Sequence, residues 1–126
     1  MIRLRRALCV AAGLAFVVAG ANHFRDPAFY LSIIPPALPR PDLLNWISGA
    51  AEIAGGVGLF VPSLRRLAAW CLIVLLIAVF PANIYAALRG SIPGLDVSPT
   101  ALWLRLPFQI VFVAWVWWAA ARREQV

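Results

Sequence analysis

Between Leu44 and Leu88 the sequence reads LNWISGAAEIAGGVGLFVPSLRRLAAWCLIVLLIAVFPANIYAAL. Two apolar runs, 44–61 and 67–88, are parted only by Pro62-Ser63-Leu64-Arg65-Arg66. Each run is close to the roughly 20 residues a helix needs to cross a bilayer. An apolar run that stops at a proline, turns through an arginine pair and resumes predicts a helical hairpin in a membrane, with its turn on the cytoplasmic side. Outward from this stretch, two further runs cover 7–24 and 102–121. Arg3, Arg5 and Arg6 precede the first, and Arg122 and Arg123 follow the last. The two remaining connections are nearly neutral, with Arg25 and Arg40 set against Asp26 and Asp42, and Arg89 against Asp96. The predicted fold is therefore all-α: one integral membrane domain over residues 1–126, a four-helix bundle with both termini cytoplasmic.

Composition agrees. Of 126 residues, 63% are hydrophobic and 13% charged, against roughly 45–50% and 25% in a soluble domain. The mean hydropathy is +0.88. A soluble fold of this length cannot remove so much apolar surface from water. The net charge of +6 comes from arginine alone, in short clusters between the apolar runs. That is the pattern of membrane flanks; a nucleic-acid surface needs a continuous basic stripe, so nucleic acid is not expected as a partner and the lipid bilayer is.

Met1–Arg6, Ala7–Val18 and Ala19-Gly20-Ala21 have the form of a secretory signal with its cleavage motif. An internal repeat argues instead for a retained helix. Leu4-Arg5-Arg6 opens the first run and Leu64-Arg65-Arg66 the third; Asn22 and Asn83 follow the second arginine by 16 and 17 residues. Ser32-Ile33-Ile34-Pro35 and Ser91-Ile92-Pro93 come next, then Trp46 and Trp103, and six residues beyond these stand Glu52 and Gln109. The ordered set predicts two pseudo-repeated helical hairpins related by an axis along the membrane normal. The connection 25–42 holds five of the ten prolines and is expected to follow an extended path, capping the outer face with its aromatic side chains at headgroup level. Ser98-Pro99 predicts the N-cap and first residue of the last helix.

The repeat also sets depths. At 1.5 Å per residue, Asn22 and Asn83 stand about 24 Å above the inner arginines, and Glu52 and Gln109 about 9 Å below the outer tryptophans. The four meet in one polar layer, with His23 and Arg105 at its rim. A charged carboxylate costs about 2.5–3.5 kcal/mol or more in the bilayer core. Glu52 is therefore expected to face the bundle interior, with Arg105 as the cation that reaches it. Gly49, Gly55, Gly56 and Gly58 read as helix-packing positions, Pro81 and Pro107 as kinks near the layer, and Trp115, Trp117 and Trp118 as an interfacial belt. One histidine cannot ligate a b-type haem twice, His23 and Glu52 are too few for a zinc or iron site, and Cys9 and Cys71 form no Cys-x-x-Cys redox pair. No phosphate loop or nucleophile motif occurs.

Asn22-His23-Phe24 with Pro27, Phe29-Tyr30 and Ile34-Pro35, then Ser48-Gly49, Glu52, Gly55-Gly56 and Arg65-Arg66, then Val79-Phe80-Pro81-Ala82-Asn83-Ile84-Tyr85 and Arg105-Leu106-Pro107-Phe108-Gln109, resemble the DoxX-like membrane proteins over nearly the whole chain. The resemblance implies a small four-helix protein of the bacterial inner membrane, some of whose relatives resemble thiosulfate:quinone oxidoreductase subunits or are linked to thiol oxidation. The expected function is a redox-associated accessory protein that binds a small lipophilic molecule, a quinone head group, through Asn22, His23, Glu52, Asn83, Arg105 and Gln109. A redox enzyme subunit or a second copy of the chain would be its protein partner. The alternative is a non-catalytic scaffold for a partner protein.

The charge distribution fixes a topology that reporter fusions can read. A reporter inserted at Ser63 or fused after Val126 should lie in the cytoplasm, and one inserted near Ala37 or Gly94 in the periplasm. A periplasmic signal at Ser63 would overturn the arrangement.

Overall fold

The computed structural model describes residues 1–92 and 96–123. Pro93 of the second serine-isoleucine-proline loop and the proposed fusion points at Gly94 and Val126 lie outside them. Every regular element among the described residues is helical. Helix α1 spans Ile2–Arg25, α2 Pro27–Ile33, α3 Pro41–Phe60, α4 Arg65–Arg89 and α5 Pro99–Val116, which runs on into a π-helical turn at Trp117–Ala121. Helices α1, α3 and α4, and α5 with its π turn, are each long and apolar enough to cross a membrane. The chain is a four-helix, multi-pass membrane protein, with α2 as an additional short helix. The long helices extend beyond the expected runs because the flanking arginines and prolines continue them.

The first hairpin, α1 and α3, is held by glycines that bring two backbones together. A Cβ on Gly20 would lie 2.7 Å from the Gly49 carbonyl oxygen, and one on Gly56 would lie 2.7 Å from that of Gly13. In each helix the two glycines are seven residues apart, which keeps them on one face. The other two glycines of α3 serve α4: Cβ atoms there would meet Leu72 at 2.5 Å from Gly55 and Ala68 at 2.7 Å from Gly58. Small residues give membrane helices close van der Waals contact where no hydrophobic force drives them together, and α3 does this on two faces.

At the arginine end the chain closes on itself. Arg65 donates from Nε to the Leu59 carbonyl at 2.8 Å, on the last turn of α3. Arg5, its counterpart in the repeat, donates to the Trp118 and Ala119 carbonyls at 3.1 and 3.2 Å, beyond the end of α5, and also to Arg122. Each hairpin's opening arginine thus satisfies orphan carbonyls at the end of the other hairpin. Trp115 donates its indole N–H to the Leu8 carbonyl at 3.1 Å. The expected tryptophan belt is accordingly corrected: Trp115 and Trp118 pack against the core, and Trp117, under Arg122, is the exposed one. Cys9 is buried, with its thiol 3.6 Å from the Leu59 carbonyl, and Cys71 is exposed.

The segment expected to be extended contains α2. Pro27 occupies its first turn, where the missing N–H is not needed, and the run is stopped at Ile34, which precedes Pro35 and takes an extended conformation. Pro41 likewise opens α3. Helix α2 folds over the bundle end opposite the arginines, with Ile33 buried beside Ala86, Ala87, Ile92 and Leu102. Ser98 caps α5 as expected, accepting from the Ala101 N–H at 3.2 Å.

Substituting Gly20→Val should cost on the order of 1–3 kcal/mol, the range for overpacking a tight contact. Thermal unfolding in detergent should show a clearly lowered midpoint. Ala11→Val, on an exposed face of the same helix, should leave the midpoint unchanged.

Candidate functional site

Two polar pairs face a cavity between the hairpins in the half of the bundle under α2. The first is built by α1 and α3. Asn45 and Glu52 are seven residues apart and share a face of α3, and the ring of His23 lies between them. Its Nδ1 is 2.7 Å from Asn45 Oδ1, and Asn45 Nδ2 donates to the His23 carbonyl at 3.0 Å. That second bond fixes the amide, so Oδ1 must be the acceptor and His23 Nδ1 must carry a hydrogen. The other ring nitrogen, Nε2, is 3.4 Å from Glu52 Oε2. A proton shared by His23 Nε2 and Glu52 would make them an ion pair or two neutral groups, with the same net charge in both states. The separation is longer than an ordinary hydrogen bond, and Glu52 Oε2, buried, has no hydrogen-bond partner.

Helix α2 roofs this pair. Tyr30 stacks on His23 with ring centroids 3.7 Å apart and planes 20° from parallel. Phe29 meets Tyr30 edge-on at 5.0 Å, and the Arg105 guanidinium lies over Phe29 at 5.4 Å. Burial, and after it the Glu52 carboxyl, push the Tyr30 phenol above its ordinary pKa, so it stays protonated at neutral pH.

The second pair joins α4 and α5. Asn83 Nδ2 donates to Gln109 Oε1 at 2.5 Å, and Gln109 Nε2 donates to the Leu76 carbonyl. Pro81 brings no N–H to the carbonyl of Ile77, the residue next to Leu76. Gln109 thus stitches α5 to α4 at the turn that the proline weakens. The cavity has a volume of about 730 Å³; His23, Asn45, Ser48, Glu52, Asn83, Gln109, Arg105 and Tyr30 contribute its polar lining, and alanine, leucine, isoleucine and phenylalanine most of the rest.

Five of the six residues singled out in the sequence line this cavity: His23, Glu52, Asn83, Arg105 and Gln109. Asn22 does not; it is exposed. The repeat aligns one residue later in the first half than the asparagine match implies. Seventeen residues from the second arginine lead to Asn83 in one half (66 + 17) and to His23 in the other (6 + 17), and one residue turns a helix face by about 100°. Arg105 is a second correction: its guanidinium lies over Phe29 and near Tyr30, and the cation-forming group at Glu52 is His23. Tyr30, expected at headgroup level, points inward. Asn45 was overlooked, although its position two turns before Glu52 was visible in the sequence. Among the described residues no three His, Cys, Asp or Glu side chains gather to hold a metal ion.

Helices crossing a membrane around a largely apolar cavity, with a few polar groups in its wall, define a small multi-pass membrane protein with a buried, titratable pair. Residues 12–120 match the family described as "Domain of unknown function (DUF8561)", and the chain belongs to that family. No curated protein and no solved structure matches it.

Asn45→Ala removes both bonds to His23 and leaves its Nδ1–H and carbonyl without partners. The loss should be about 1–3 kcal/mol, read as a lowered unfolding midpoint. Ala21→Ser, at an exposed neighbouring position, should unfold with the wild type.

Proposed function

We propose that the protein is a redox-associated accessory protein of a bacterial inner membrane that binds a lipophilic molecule with a hydrogen-bonding head group, of the quinone type, in the cavity between its hairpins. One observation carries this reading: Glu52 Oε2 is buried at the cavity wall, without a hydrogen-bond partner, beside a histidine whose tautomer is fixed. An unsatisfied buried polar atom costs about 1–3 kcal/mol, and a ligand oxygen at this position would remove the cost. The head group would accept a hydrogen bond from the His23–Glu52 proton or donate one to Glu52; passing that proton to the ligand would leave one negative charge on the pair, and regaining it would restore neutrality. Such proton handling suits a quinone-type ring, whose oxygens change protonation with redox state. The mostly apolar lining suits a ligand drawn from the bilayer. The resemblance to DoxX-like proteins points the same way, and a redox enzyme subunit would be the natural partner.

Glu52→Gln separates this reading from a scaffold. Removing the carboxylate from an arginine would strand a fixed charge, but histidine can release its proton near neutral pH. The variant should therefore unfold close to the wild type, while quinones recovered by extraction from protein purified in native lipid fall to background. Equal quinone recovery from both proteins would overturn the proposal and favour the scaffold.

A further inference from the structure

The cavity continues well beyond its polar atoms. From His23 its wall descends toward the arginine end along Ala19 and Ala15 of α1, facing Phe108 and Phe112 of α5. His23, Ala19 and Ala15 are spaced four residues apart, so they form one line along a helix face. The alanines leave a groove in that line. Phe16 against Phe112, with centroids 6.4 Å apart and planes at 73°, makes its floor. Phe108 lines the cavity and is still 59% exposed, so the groove reaches the outer surface between α1 and α5. The bonds that tie these two helices, from Arg5 and Trp115, all lie at the arginine end. A cavity of about 730 Å³ is in the range that encloses a whole drug-sized molecule, and a single ring at His23 would leave the groove empty.

We infer, resting on the reading above, that the ligand is a single-tailed lipid: its head group lies at His23 and Glu52, and its apolar chain leaves between α1 and α5 over Ala19 and Ala15. The cavity also reaches the surface between α3 and α4, at Ile47 and Ala78. There the wall carries the bulky Ile47, and its small residues, Ala78 and Ala82, belong to α4 and not to the helix that carries the histidine.

An apolar chain gains little by moving from lipid to a protein groove, so the test reads position and steric exclusion. Two probes are needed: a benzoquinone ring bearing a decyl chain with a diazirine at its middle, and the same ring without the chain, both added to the full-length protein in nanodiscs. Photolysis should label peptides containing residues 15–19 and 108–112 of the wild type. Ala19→Phe should weaken the tailed probe by roughly tenfold or more and leave the tailless ring within about twofold, as expected for overfilling an occupied groove. Ile47→Phe, at the other mouth of the cavity, should weaken the tailed probe far less than Ala19→Phe does. Labelling at 44–48 and 75–79, or loss of the tailed probe with Ile47→Phe in place of Ala19→Phe, would overturn the inference and leave head-group binding intact. A tailed probe that binds Ala19→Phe as tightly as it binds the wild type would overturn it as well. Failure of both probes to bind the wild type would instead remove the proposed function, and the inference with it. The labelling map needs no variant, so a misfolded Ala19→Phe cannot blunt the test.

Discussion

The close backbone approach of α1 and α3 is the constraint on which the rest of the structure depends. It bears directly on the polar site, because a Cβ on Gly49 would lie 2.6 Å from the Cβ of His23. The glycine that admits the neighbouring backbone is also what lets the histidine side chain leave α1 at this level. Asn45 and Glu52, four residues before and three after Gly49, are then carried to either side of the imidazole. Were the helices separated by ordinary side chains, Asn45 could not bond both the ring and the carbonyl of one residue. The packing of α1 on α3 and the tautomer of His23 thus have a single cause.

Close contact in the first hairpin has a counterpart in how the hairpins meet. Gly55 and Gly58 pull α4 onto the arginine-end half of α3, and Arg5 and Arg65 bind the helix ends there. Among the described residues no comparable glycines or arginine caps join α3 to α4 in the other half, where α2 covers the separation from above. The cavity lies where the two hairpins part, and its roof is aromatic because Tyr30 and Phe29 are what α2 places over the histidine.

Much of this was legible in the sequence. Hydrophobic length and arginine position are one-dimensional signals, so the four spans could be read directly. Gln109 and Glu52, as polar residues in apolar helices, had to face inward, and both do. The failures are of rotational phase and of turn chemistry. Asn22 and His23 are adjacent, and either could have been the inward residue; the shared count of 17 from Arg6 and Arg66 held the answer, but the pull of matching asparagine to asparagine hid it. Proline density in 25–42 suggested an extended path, whereas Pro27 falls where a helix tolerates it. Arg105 was paired with Glu52 on charge alone, and no sequence pattern revealed that Phe29 would lie beneath its guanidinium.

The two hairpins answer the same structural demand with different chemistry. In the second, Asn83 and Gln109 bond to each other and to the Leu76 carbonyl, which is a complete and neutral way to join two membrane helices. In the first, the matching positions hold His23 and Glu52, which stand 3.4 Å apart and leave a carboxyl oxygen unsatisfied. Polar contacts between membrane helices contribute only about 0.6 kcal/mol on average, so a scaffold loses little by using amides throughout. A titratable pair in the same place raises the cost of burial and adds nothing to cohesion that the amide pair lacks. What it adds is a proton that can move without a change in net charge, at the wall of a cavity large enough for a guest. The departure from the neutral solution, made in one hairpin and not in the other, is the physical ground for the proposal that this half of the bundle serves a ligand as well as the fold.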